Sequence, residues 1–325
     1  FDSGKSDEDI MVGMNWKYPE TLLRIGVLAV GIAAALPLAA TPTFAAEIEQ
    51  KTFASPEQAV AELVAADRSG DTAGLESIFG PDGKKLIDSG DPVADKQWRE
   101  KFVAAYEKRN GIENEGDDKA ILIVGEHDWP YPIPIVKQGE SWRFDTKAGA
   151  EAILDRRIGR NELNTIEVCR AYVDAQREYA AKDRDGSGLP EYAQRFLSSP
   201  GKHDGLYWET GPGEAQSPLG PLVARASAEG YDTSGKHVPY HGYYFKILKQ
   251  QGTNARGGGY LYIADGHMIG GFALVAYPAQ YGVSGVMTFM VNQDGVIYQK
   301  NFGPDTATIA EQIDAFDPDE TWKTP

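Results

Sequence analysis

The chain has 325 residues, with 48 acidic and 32 basic side chains and a formal net charge of −16 at pH 7. So acidic a surface repels nucleic acid and anionic lipid, and neither is expected as a partner. A single cysteine, Cys169, rules out an intramolecular disulfide, and the length suffices for two modest domains.

From the N-terminus, Met14, Lys17 and Arg24 form a positive opening, and residues 25–40 follow as an apolar stretch rich in Ala, Leu and Val. Thr43-Phe44-Ala45 then puts small residues three and one positions before a cut. This is the pattern of a cleavable secretory signal peptide over 14–45, cut after Ala45. The apolar run is too short and too interrupted by Ala and Pro to make a span of about 20 residues. We therefore expect a periplasmic or secreted location with no stable membrane anchor after cleavage. Residues 1–13 read as an upstream over-extension of the frame.

Ser55-Pro56-Glu57 signals a helix start, with Ser as N-cap and Pro at the first helical position, and the helix runs to about Arg68. Gly70-Asp71 stops it. A second helix spans 72–79, a further turn 84–88, and a third helix capped by Asp95 runs to Arg109, with Trp98, Phe102, Val103 and Tyr106 at helical spacing. Residues 119–125 read as a strand. Pro130, Pro132 and Pro134 forbid regular central pairing after it. Residues 133–136 and 142–145, joined by Gln138-Gly139-Glu140, form a hairpin.

Residues 148–181 form a long helical region with a break expected near Gly159, ended by Asp183 to Gly188. Residues 189–237 are rich in loops, with short helix signals at 190–197 and 220–229. Strands follow at 243–250, 260–264, 271–277, 286–292 and 296–302, and a last helix at 306–316. Gly257-Gly258-Gly259, Asp265-Gly266 and Asp294-Gly295 supply the turns. The expected class is α+β in two parts, 46–158 and 159–325, each with helices on an antiparallel sheet and joined through the long helix.

Several strings resemble a bacterial family known as domain of unknown function 2950. They are Asp128-Trp129-Pro130-Tyr131-Pro132-Ile133-Pro134, Trp142-Arg143-Phe144-Asp145, the run from Arg156 to Leu163, Tyr240-His241-Gly242-Tyr243-Tyr244-Phe245, and the runs Gly271 to Pro278 and Tyr281 to Phe289. The resemblance implies an exported protein and brings no mechanism. The first part also resembles a cone of the nuclear-transport-factor-2-like type, and the second part the globular head of a type IV pilin or pseudopilin. The apolar stalk helix of pilins is missing from the start of that second part, so no assembled fibre is expected. Fold likeness of this kind licenses no function.

Candidate sites are few. Asp183-x-Asp185-x-Ser187-Gly188 places oxygens at alternate positions before a Gly turn, the first half of a calcium loop. Glu191 falls at the ninth position, but Gln194 stands at the twelfth, where a bidentate Glu is expected. Calcium through Asp183, Asp185, Ser187 and Glu191 is therefore weighed against a turn that ends a helix. His203 and Asp204, followed by Tyr207 and Trp208, make a candidate acid–base pair, with His237, His241 and His267 in the same half. No HExxH or Cys/His spacing accompanies them. Asp128, Trp129 and Trp142 could line a ligand pocket. Ser284 misses the spacing of a nucleophile elbow. Arg156, Arg157 and Arg160 form a basic cluster expected to face nearby acids. Cys169 sits among apolar residues at a helix position expected to be buried. With no convergent catalytic set, we expect a binding or scaffold protein of the cell envelope, its partner an envelope protein or a small ligand. The competing expectation is a hydrolase-like enzyme using Asp128 or the His203/Asp204 pair.

Overall fold

Local capping chemistry fixes the first helices of the computed structural model, which describes residues 49–184, 186 and 188–325. The predicted signal peptide lies outside the described residues. Helix α1 (Pro56–Ser69) starts where the Ser55 hydroxyl accepts the Gln58 amide, and ends at Gly70, whose left-handed φ of 69° a side chain would strain. It buries Ala59, Val60, Leu63 and Val64 along one stripe. Asp71 caps α2 (Thr72–Phe79), and α3 (Lys84–Ile87) is a single turn. Helix α4 (Pro92–Lys108) begins one turn earlier than predicted. Its cap is Asp91, because Pro92 lacks an N–H and fits the first helical position. Asp95 instead turns back, and its carboxylate accepts the Ser89 amide at 2.9 Å. Trp98, Phe102, Val103 and Tyr106 are only half-buried.

The first sheet comprises β1 (Asn110–Asn114), β2 (Lys119–Val124), β3 (Trp129–Pro130), β4 (Ile135–Gln138) and β5 (Ser141–Phe144). The order is β1-β2-β4-β5, all antiparallel, with β3 beside the end of β2. Strand β1 was not expected, since Asn-Gly-Ile-Glu-Asn lacks apolar alternation. Its pairing with β2 makes it. Phe53, Phe79, Leu122, Ile135 and Phe144 fill the core, with Phe53 and Phe79 edge-on to Phe144.

Helix α5 (Thr146–Ala180) runs 35 residues without the expected break at Gly159. A mid-helix Gly costs about 1 kcal/mol, and tertiary anchors on either side offset it. Arg157 donates to the carbonyls of Lys85 and Leu86 at 2.7 and 2.6 Å, and Asn161 to that of Ser284 at 2.9 Å. Its first turns pack on the first core, where a Cβ at Gly149 would come within 2.4 Å of the Pro132 carbonyl oxygen. Its second half gives Val168, Cys169, Tyr172, Val173 and Tyr179 to a second core.

After α5 the chain is irregular up to α6 (Gly220–Ala228). The helix expected at 190–197 does not form. The Tyr192 amide donates to the Met268 carbonyl and the Ala193 amide to Gln176, and these bonds replace helical ones. Then come β6 (Tyr243–Leu248), β7 (Gln250–Gln251), β8 (Tyr260–Leu261), β9 (Ile263–Ala264), β10 (His267–Met268), β11 (Ala273–Pro278), β12 (Thr288–Asn292), β13 (Ile297–Lys300) and α7 (Thr306–Gln312). The main sheet is antiparallel in the order β13-β12-β11-β6, and β7–β8 and β9–β10 are short ribbons. The strand expected at 260–264 is thus split around the buried Tyr262. Strand β11 is buried throughout and contacts both α5 and α7, as a central strand covered on two faces must be. The fold is α+β, two cores sharing one helix, and residues 49–325 belong to one compact unit. No described helix is long and apolar enough to cross a membrane.

Candidate functional site

Three loops and α5 meet where the two cores join. Asp91 is 1 % exposed. Its Oδ1 accepts the Ala94 amide at 3.0 Å, and its Oδ2 accepts both the Tyr231 hydroxyl at 2.9 Å and the Gly242 amide at 2.8 Å. Three donors offset the cost of burying a carboxylate. On α5, Asn161 holds the Ser284 carbonyl, and Glu162 Oε1 accepts the Val286 and Met287 amides at 2.9 and 3.0 Å. Gly242 closes the gap. A Cβ there would lie 2.6 Å from Asn161 Nδ2 and 2.9 Å from Ser284 Cβ. The Ser284 hydroxyl accepts the Gln280 amide at 2.9 Å and donates to the Gln280 carbonyl at 3.2 Å.

His241 sits on the rim of this knot with a left-handed φ of 48°, a conformation non-glycine residues keep only when surroundings impose it. Its amide donates to the Tyr231 hydroxyl at 3.2 Å. Its Nε2 lies 3.0 Å from Glu229 Oε2, and the two side chains are 20 % and 25 % exposed. Glu229 caps the end of α6, and its carbonyl accepts Gln97 Nε2 from α4 at 2.6 Å. Arg225 Nε donates to the Tyr240 hydroxyl at 3.2 Å, and the Tyr240 ring stands edge-on to His241 at 4.2 Å. Burial lowers the pKa of His241, outweighing the opposite pull of Glu229, so the imidazole is neutral at neutral pH. Burial and then Asp91 raise the Tyr231 phenol well above its ordinary range. A neutral imidazole beside a carboxylate, with part of its ring in reach of solvent, can bind a polar ligand or exchange a proton.

The other predicted residues do not join it. Asp128, also at positive φ (52°), pairs with Arg109 at 3.1 Å and is half-exposed. Trp129 lies on β3 under the Arg156 guanidinium, and Trp142 on β5 beside Lys137. His203 engages a different partner from Asp204. Its ring stacks on Trp208 at 4.3 Å, which Arg184 approaches at 5.4 Å. Asp204 accepts the Ser199 amide and hydroxyl at 2.7 and 2.9 Å. Burial pushes Asp204 up, but these bonds and Arg195 hold it below its ordinary range. Tyr207 bridges to Leu197. His237 stacks on Tyr244 and His267 lies 3.3 Å from Glu191, so the four histidines occupy four environments.

In the Asp-rich loop, Asp183 accepts the Gly186 and Gly188 amides at 2.8 and 2.9 Å. Glu191 accepts the Met268 amide at 3.1 Å, on β10. Asp185 and Ser187 lie outside the described residues. Among the described residues no group of three or more His, Cys, Asp or Glu is arranged to hold a metal ion. Cys169 is fully buried, and burial pushes its thiol up to about 12. An open groove of about 320 Å³ between α1 and α2, lined by Lys51, Glu62, Ser69 and Asp71 among others, contains none of the candidate residues.

Sequence reading marked His241 but missed Asp91, Arg225, Glu229 and Tyr231. Only Asp91 carries a local signal, the cap pattern Gly90-Asp91-Pro92. Three of the strings that carried the family resemblance (Arg156 to Leu163, Tyr240 to Phe245, Tyr281 to Phe289) supply the knot. The family described as Protein of unknown function (DUF2950) matches residues 50–324. Neither a curated protein nor a solved structure matches the chain, so the cone and pilin-head likenesses find no counterpart there.

Proposed function

The chain belongs to this family, and from that premise we propose that it is an exported protein of the cell envelope that binds its ligand without turning it over. The observation that carries the reading is the His241–Glu229 pair, partly open at the join of the two cores and held by a backbone strain that the Asp91 knot maintains. The remaining acid–base candidates support binding over catalysis because each is engaged elsewhere. Asp128 is held by Arg109, Asp204 by Ser199 and Ser284 by Gln280. The ligand is a small polar molecule or a polar segment of an envelope protein.

A hydrolase-like activity is the second reading, and the neutral imidazole 3.0 Å from a carboxylate favours it. Native mass spectrometry of the wild type and of Glu229→Gln, incubated with envelope extract, separates the two. An adduct of unchanged ligand mass, lost in the variant, supports binding. A ligand consumed over many turnovers replaces it with catalysis. Export has its own test: cells making the full chain should yield an envelope product lacking residues 1–45, and an intact cytoplasmic chain would overturn that part.

A further inference from the structure

Strand β6 (Tyr243–Leu248) is an outer strand of the second sheet, in the order β13-β12-β11-β6. Its antiparallel partner β11 sets Tyr244 against Tyr277, Lys246 against Val275 and Leu248 against Ala273. Just beyond the ladder, the Ala279 amide donates to the Gly242 carbonyl at 2.9 Å. Hydrogen bonding alternates along an antiparallel pair. Gly242, Tyr244, Lys246 and Leu248 therefore aim their backbone polar groups at β11, and Tyr243, Phe245, Ile247 and Lys249 aim theirs outward. Local clips close both ends of this outward row. Tyr243 exchanges two bonds with Tyr240 at 2.9 and 3.1 Å, and the Lys249 carbonyl accepts the Tyr262 amide at 2.9 Å. Between the clips, the amides and carbonyls of Phe245 and Ile247 have no partner among the described residues.

Open strand edges recruit other strands unless something blunts them. The outer side of β5 is closed by Phe53, which exchanges two bonds of 2.8 Å with Trp142. That of β13 is closed by Lys323, which exchanges bonds of 2.7 and 3.0 Å with Gln299. On β6 the one charge is Lys246, and its ammonium is turned onto the Ala310 and Glu311 carbonyls at 3.4 and 2.8 Å. The rest of the strand, Tyr-Tyr-Phe and then Ile-Leu, favours extended backbone. Charge selects the occupant. A second copy using both open residues would set Phe245 against Ile247 across a two-fold axis. Lys246 would then face the same lysine of that copy, with a net charge of −16 on each chain. Beside Lys246, the exposed Glu311 and Asp314 lie close enough to act on its charge and make that flank acidic. Phe245 and Ile247 pack toward the second core on the opposite flank. A strand with basic side chains on the acidic flank and apolar ones beside Phe245 and Ile247 meets neither objection.

We propose that the Phe245–Ile247 edge of β6 binds an extended peptide segment by strand addition, one in which basic and apolar side chains alternate. The site goes beyond the His241–Glu229 reading and does not depend on it. The probe is a short labelled peptide of alternating lysine and valine, titrated with the full chain and followed by fluorescence anisotropy. The expected result is saturable binding. Methylating the valine backbone nitrogens, which face β6 in this frame, should weaken it at least tenfold, and methylating the lysine nitrogens should leave it within twofold. A peptide of alternating glutamate and valine should bind at least tenfold more weakly than the basic one. Ile247→Pro removes one outward donor, keeps the bonds to β11, and should weaken binding severalfold. The methylated peptides decide the matter if that variant fails to fold. No saturable binding, equal affinity of the two methylated peptides, or tighter binding of the acidic peptide overturns the proposal. So does a dimer of the full chain in sedimentation that Ile247→Pro abolishes, since a second copy would then be the occupant.

Discussion

Replacing Asp67 by Asn should stabilise the protein, and more so as the pH rises. Asp67 lies in the last turns of α1, half-buried, near enough to Tyr131 to raise that phenol. Burial pushes its carboxyl from 3.8 to about 7 against the pull of Arg99. The folded state therefore holds a proton that the unfolded state releases between those two values. Stability contributed by the neutral acid is present below about pH 4 and is lost as the pH rises through about 7. At about 1.4 kcal/mol per pH unit the full effect is roughly 4 kcal/mol. Solvent reaching a half-buried group cuts it to about 2 kcal/mol. Asn keeps the shape and carries no charge to bury. Urea unfolding of both proteins from pH 4 to 8.5 measures the difference, which should grow from near zero to about 2 kcal/mol and level off above pH 7.5. A difference independent of pH, or an Asn variant less stable at pH 8, would refute the reasoning.

Asp91→Ala should destabilise by about 3 kcal/mol, since it orphans a buried hydroxyl and two amides, and a loss under 1 kcal/mol in urea unfolding would contradict the knot. For His241, the lowered pKa means the unfolded chain takes up a proton first, so the wild type should lose stability relative to His241→Asn as the pH falls below 6.5. Parallel stability profiles of the two proteins between pH 7.5 and 5 would count against a buried neutral imidazole. If the Asp183–Ser187 loop takes calcium, the melting temperature rises with added calcium and falls with chelator, and an unchanged melt removes the metal from consideration.

Much of the fold was legible because its signals are local. Ser55-Pro56 and Asp71 cap their helices, and Gln138-Gly139 and Asp294-Gly295 turn their hairpins without outside help. Where the sequence misled, a distant partner overrode the local preference. Gly159 stays helical because Arg157 and Asn161 are anchored on either side of it. Residues 190–197 stay out of a helix because Met268 and Gln176 claim the amides of Tyr192 and Ala193. The polar β1 is a strand only because β2 lies beside it. The site obeys the same rule. His241 stood out as a residue type, but the carboxylate that fixes its backbone comes from Asp91, and the bond from Gly242 spans 151 positions. Glu229 closes a short helix signal and Tyr231 lies in the loop after it, and nothing in their neighbours marks either as part of a site.

The shared helix also sets an order of assembly. Everything the first core needs lies before the middle of α5, so that core can close while the rest of the chain is still emerging. The apolar stripe from Val168 to Tyr179 must wait, since Tyr172 bonds to the Ala273 carbonyl, 101 residues further on. During that interval a completed half carries an uncovered greasy flank. The stripe from Val168 to Tyr179 is thus the part of the helix whose cover comes from furthest along the chain.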